Sequence, residues 1–234
     1  MNVSVIRWDF ALILVALAAL VPWRGVVRVR QLLARDEISP AERMKVYFST
    51  GALQWIAVAL TAWRCAVHGV RPEQLGLSLP HPTAAAISGL ALAVFFTFTQ
   101  LLGFRALSQI PIERRGRIYR VACKIRPQSG VEIALFMALV FTVSLCEEFL
   151  YRGFAFAIFR EVSVGSAVTA VMASSLLFAV GHLYQGKRGI VVTFFLGVVF
   201  AMARSLTASL LPGIIAHFTV DTLAGLAAPK TEIS

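Results

Sequence analysis

The chain has 234 residues, of which 58% are hydrophobic and 15% charged, with a mean hydropathy of +0.78 and a formal charge of +10. That apolar share exceeds the roughly 45–50% of a soluble domain, so it excludes an ordinary water-soluble globule and predicts an all-α polytopic membrane bundle. The positive charge does not indicate a nucleic-acid partner, because the basic residues fill short gaps between apolar runs and form no surface interleaved with stacking aromatics.

In chain order, seven apolar runs predict helices near 8–23, 44–64, 83–104, 131–160, 165–183, 189–204 and 209–228, with six or eight as the alternatives. Several fall short of the roughly 20 residues of an upright span and the fourth exceeds it, which predicts tilted, half-buried or merged helices. After Arg7 the first run contains Ala16 and Ala18 in the pattern of a signal-peptide cleavage site. It nevertheless continues to Pro22 and Trp23 and then meets a basic stretch, the flank of a retained anchor with an interfacial aromatic ring. "ISPAERMKV" (38–46) reads as a helix start, with Ser39 as cap, Pro40 in the first turn and Glu42 three residues after the cap. "RPEQLGLSLPHP" (71–82), punctuated by Pro and Gly, reads as an interfacial loop in which His81 faces water.

Charge sets sidedness. The gap after the first run carries Arg24, Arg28, Arg30, Arg35, Arg43 and Lys45, and the gap after the third carries Arg105, Arg114, Arg115, Arg117, Arg120, Lys124 and Arg126. These are thirteen of the 22 basic residues. Two spans separate the gaps, so both lie on one side, and the positive-inside rule makes that side cytoplasmic. Lys187, Arg188 and Lys230 then also fall inside, with the N-terminus outside and the C-terminus in the cytoplasm. Membrane lipids are thus a partner, and a grip on anionic lipid or an acidic substrate is a further option for the basic loops. Residues 1–130 read as N-terminal helices with basic loops and 131–228 as a polar-bearing helical core, within one integral domain. Cys65, Cys123 and Cys146 lie at no metal-like or redox-like spacing and read as free thiols. The chain has no internal repeat, P-loop or dinucleotide fingerprint, and nothing in it fixes an oligomeric state.

Ionisable side chains inside membrane helices cost about 2.5–3.5 kcal/mol each on the insertion scale, so their positions carry information. In the C-terminal part they form three clusters: "EEFLYR" (147–152), "FAVGH" (178–182) and "HFTVD" (217–221). Helical spacing puts Glu148 and Arg152 on one face as an i, i+4 pair and leaves Glu147 on a neighbouring face, on the side of Tyr151. Glu147 therefore needs another partner, and the later helices offer His182, His217 and Asp221, the last two again four residues apart. Singly, each piece has a plain structural reading: the Glu–Arg pair as interhelical glue, Phe178 as packing, His182 as a membrane-boundary residue. Together, two carboxylates, two imidazoles and an Asp in apolar surroundings match what water activation requires, namely a base, a proton shuttle and donors for a developing oxyanion.

The order Glu-Glu-x-x-x-Arg, Phe-x-x-x-His, a Phe/Gly-rich span and His-x-x-x-Asp resembles the CPBP family of intramembrane proteases, also called the CAAX protease or Abi family. That family includes the eukaryotic endopeptidase that trims prenylated CAAX proteins. The matching stretches are "EEFLYRG" (147–153), "FAVGH" (178–182), "FFLGVVFAMARSLTASLLPGIIAH" (194–217) and "HFTVD" (217–221), and the likeness covers about residues 131–226. It implies an all-helical bundle with its site in a cavity inside the bilayer. It also implies that Glu147 is the base that activates water with His182 beside it, that His217 and Asp221 stabilise the oxyanion, and that Glu148 and Arg152 shape the site. Asp221 stands where many relatives have Asn; an ionised Asp cannot donate to an oxyanion, so it must be protonated, orient His217 or bind something positive. Two histidines with carboxylates are also a zinc donor set, and the family was long described as metalloproteases, although its better-studied members are read as glutamate-dependent and metal-free. No His-Glu-x-x-His helix is present, so the expectation is no metal cofactor, with zinc as the alternative. The expected activity is endopeptidase cleavage of a membrane-associated protein or peptide. A catalytically inactive relative acting as a membrane scaffold or immunity protein is the alternative, and a proton-coupled carrier fits less well, since two halves with matching interrupted helices are missing.

Overall fold

A computed structural model describes residues 6–111 and 114–227. Lys230 and position 228, the expected end of the last helix, lie outside the described residues. Among these residues there are eight helices of ten residues or more and no strand: α1 (Trp8–Leu33), α2 (Pro40–Val67), α3 (Pro82–Ser108), α4 (Gly116–Ile125), α5 (Gly130–Val162), α6 (Ala167–Gly181), α7 (Leu183–Thr207) and α8 (Leu211–Leu226). Each of the seven expected runs lies largely within one of them, and α4 is the addition. By length and composition α1, α3, α5 and α7 can cross a membrane. The 15 residues of α6 and 16 of α8 rise only about 22–24 Å, less than the ~30 Å hydrocarbon layer. They are held among the long helices, α6 chiefly against α7 and α8 chiefly against α3.

Three expectations change. First, α1 does not stop near Trp23 but runs on to Leu33, so Arg24, Arg28 and Arg30 sit on a helix and not in a loop. "RGVVRVRQLL" is amphipathic at helical spacing, with Val29 and Leu32 turned inward and Arg24 and Arg30 exposed, and a helix need not end where hydropathy falls. A π turn at Ala16–Leu20 precedes Pro22 and accommodates the ring that has no N–H to give. Second, the basic gap after α3 contains α4, which turns Val121 and Cys123 inward and Arg117 and Arg120 outward. Third, Arg43 is no loop charge. It is buried in α2, whose start carries the expected capping box between Ser39 and Glu42.

Arg43 begins the seam between α2 and α5. Its Nε and Nη2 donate to Glu132 at 2.9 and 3.0 Å, Nη1 to the Ile38 carbonyl at 2.7 Å and Nη2 to Gln128 at 3.2 Å. Farther along, Tyr47 packs edge-on against Phe136, Gly51 rests on Leu139 and Thr142, and the Trp55 indole donates to Thr142. Residues rise together on both helices, so the two run parallel. The Tyr47 hydroxyl bonds the Ile125 carbonyl, and Lys124 donates to the Arg35 carbonyl and, at 3.1 Å, to that of Asp36. The two basic segments therefore share one end of the bundle, as the charge pattern requires.

At the opposite end Asp9 receives Arg64 at 2.7 Å and meets the His68 Nε2 at 2.7 Å, tying α1 to α2. Arg204 on α7 reaches the Gln74 carbonyl at 2.6 Å and that of Arg152 at 3.1 Å, over the Phe156 ring, and so fixes the 71–77 loop. His81 is exposed and all three cysteines are buried and free.

Candidate active site

Glu147 is the last residue of the α-helical first part of α5; from Glu148 to Ala155 the helix widens into a π segment before resuming. Such wide turns occur often at functional sites, and no residue pattern announced this one. Within it Glu148 and Arg152 are fully buried and paired, Arg152 Nη1 to Glu148 Oε1, at 2.9 Å. The guanidinium lies 4.0 Å over the Phe178 ring and 5.3 Å from that of Phe200, which gives part of a buried cation's lost hydration a substitute.

His182 caps α6. The helix ends on Gly181, where a Cβ would lie 2.7 Å from the Tyr151 hydroxyl, so a larger residue here would have to displace that ring. The His182 Nδ1 sits 2.8 Å from the Phe178 carbonyl, one of the acceptors a helix end leaves free. A carbonyl can only accept, so Nδ1 carries the proton and a neutral ring turns the lone pair of Nε2 outward. His217 stands nearly two turns into α8, after Pro212 and Gly213. A Cβ at Gly213 would be 3.0 Å from the Glu148 carboxyl carbon and closer still to Oε2, so this glycine lets α8 approach the buried acid.

The structure brings the four expected catalytic side chains together. Glu147 Oε2 is 3.8 Å from His182 Nε2 and 3.9 Å from His217 Nε2, and the latter nitrogen is 3.5 Å from Asp221 Oδ2. These gaps exceed ordinary hydrogen bonds, and a single oxygen seated beside Glu147 Oε2 and His182 Nε2 could reach both. Side-chain exposure is 13% for Glu147, 12% for His182 and 7% for His217, against 37% for Asp221, which therefore marks the open rim. Glu147 Oε2, Glu148 Oε2, and Arg152 Nε and Nη2 are buried with no hydrogen-bond partner among the described residues. Unsatisfied buried polar atoms are rare, and four so close together form a polar cluster that water or a polar ligand would satisfy.

Two contacts were not anticipated. Glu148 does more than pair with Arg152, because its Oε1 also lies 3.1 Å from His217 Nδ1. A carboxylate already accepting from Arg152 accepts from the imidazole too, which places a proton on Nδ1 and aims Nε2 at Glu147 and Asp221. The other is Gln54 on α2, whose amide donates to Glu147 Oε1 at 2.8 Å across 93 residues of sequence. A lone glutamine among "TGALQWIAVAL" carries no spacing relation to the three clusters; its one signal was being the sole amide in that apolar run. Among the described residues no group of three or more His, Cys, Asp or Glu side chains is arranged to hold a metal ion.

Residues 129–223, from the cap of α5 into α8, match the family model described as type II CAAX prenyl endopeptidase Rce1-like. No curated protein and no solved structure matches the chain. The matched segment carries both glutamates, Arg152, both histidines and Asp221, and leaves out Gln54.

Proposed function

From the match of residues 129–223 to the type II CAAX prenyl endopeptidase Rce1-like family model, we propose an intramembrane endopeptidase of the CAAX protease type that hydrolyses a peptide bond of a membrane-associated protein or peptide. The observation that carries this reading is the pair of acceptors 3.8 Å apart, Glu147 Oε2 and His182 Nε2. One water can donate a hydrogen to each, which holds its oxygen lone pairs toward an incoming carbonyl carbon. As the water oxygen bonds to that carbon, its proton passes to Glu147 and the carbonyl oxygen becomes an oxyanion. The proton is then delivered to the amine nitrogen as the C–N bond breaks, giving a new carboxyl terminus and a free amine. Glu147 is thereby restored for the next water.

His217 serves the oxyanion. With Nδ1 given to Glu148, it donates from Nε2 only as an imidazolium, and the carboxylates of Glu148 and Asp221 on its two nitrogens balance that charge. This assigns Asp221 the task of orienting and neutralising His217, so it need not donate a hydrogen itself. Arg152 holds Glu148 in turn. No step is routed through a metal ion, because a glutamate with an imidazole suffices to activate water.

The test uses the purified full chain in detergent with a fluorogenic farnesylated peptide ending in a CAAX sequence. Glu147→Gln, His182→Ala and His217→Ala should each lower cleavage by about 100-fold or more while the protein inserts and purifies as wild type. Cleavage should persist after exhaustive chelation. Full activity in Glu147→Gln removes the base from the scheme, and loss on chelation that zinc restores replaces it with a metal-dependent one.

A further inference from the structure

We propose that Gln54 is a positioning residue for the water-activating carboxylate, so that the N-terminal half of the chain supplies a working part of the site. The inference rests on Glu147 being the base. Its two oxygens have different surroundings: Oε1 accepts from the Gln54 amide at 2.8 Å, while Oε2 is buried, has no hydrogen-bond partner among the described residues and faces His182 and His217. A glutamate side chain has three rotatable bonds, and a carboxylate tied at neither oxygen spreads over several rotamers. Fastening Oε1 leaves one orientation, in which Oε2 points between the two imidazoles.

Gln54 is itself held in place. Its neighbour Trp55 donates to Thr142, Gly51 packs on Thr142 and Leu139, and eleven residues earlier Arg43 grips Glu132 at the foot of the same two helices. The seam thus fixes the height of Gln54 relative to Glu147. An apolar side chain of similar size would fill the space equally well. What glutamine adds is a donor aimed at the one carboxylate oxygen that does not face the imidazoles.

Two measurements test this. In the peptide assay Gln54→Leu keeps the volume and removes the donor; kcat should fall about 10- to 100-fold with KM nearly unchanged, the size of loss a misplaced catalytic group produces. The same substitution in a Glu147→Asp background, whose shorter carboxylate no longer reaches the amide, should change kcat by no more than about twofold. A merely structural role would lower both backgrounds alike, and that result, or an unchanged kcat, overturns the proposal. The second measurement needs no substrate. Infrared difference spectra of glutamate-labelled protein should show a carboxylate band that moves in Gln54→Leu and is missing from the same comparison made in Glu147→Gln. A band that stays put refutes the contact, even in a protein that cleaves no peptide, so this failure is separate from failure of the peptidase reading.

Discussion

Gly213 has no chemistry of its own, yet the site depends on it, because α8 passes so close to Glu148 that a Cβ there would meet the buried carboxyl group at 3.0 Å. In an exposed helix Gly→Ala gains about 1 kcal/mol from propensity. Here Gly213→Ala should instead push His217 and Glu148 apart and cut kcat about 10- to 100-fold, with a melting point that moves by only a few degrees. A normal kcat in Gly213→Ala would mean that the contact between His217 Nδ1 and Glu148 is not needed. At Asp221 the rim position separates two roles. If the side chain steadies His217 by accepting and balancing charge, Asp221→Asn should retain measurable cleavage and Asp221→Leu should lose nearly all of it. Equal activity in the two variants would detach Asp221 from His217. The i, i+4 spacings of Glu148 with Arg152 and of His217 with Asp221 were readable because helix geometry is local. The contact of Glu148 with His217 was not, since it depends on how near a glycine lets α8 come.

Helix starts and apolar runs were legible because caps and hydropathy act over a few residues. The length of α1, the existence of α4 and the π segment were not, because each depends on what covers it. Arginines at 24, 28 and 30 look like the end of a span until Val29 and Leu32 are seen to be covered. Arg43 is the sharpest case. Placed by charge alone it belongs with the loop arginines, but its partner Glu132 lies 89 residues away and both are almost fully buried. Removing one member leaves the other charged and unpaired, at a cost of about 3–5 kcal/mol, whereas replacing both with apolar groups is often near neutral. Arg43→Met and Glu132→Leu should therefore each lower the unfolding midpoint in mild detergent, and the double variant should recover most of the loss. Additive losses would mean that the pair is wet and contributes little. Recovered stability with unrecovered kcat would show that this pair also sets the height of Gln54 against Glu147.

Across the whole molecule, the direction of every helix follows once one end of the bundle is assigned to the cytoplasm. The end that gathers residues 24–45, α4 and the start of α7 holds eleven of the 22 arginines and lysines in those segments alone, while the turn between α5 and α6, residues 163–166, holds none. Membrane insertion retains basic segments on the cytoplasmic side, which leads us to expect the α1–α2 turn near Glu37 inside and the α5–α6 turn outside. The native cysteines are buried and give a quiet background for labelling. Val164 is 97% exposed, and Glu37 is also exposed. Val164→Cys should react with a membrane-impermeant maleimide in intact cells, and Glu37→Cys only after the membrane is opened. The reverse pattern would invert the bundle and put the rim at Asp221, near the end of α8, on the outer face, where a substrate would have to approach from outside the cell.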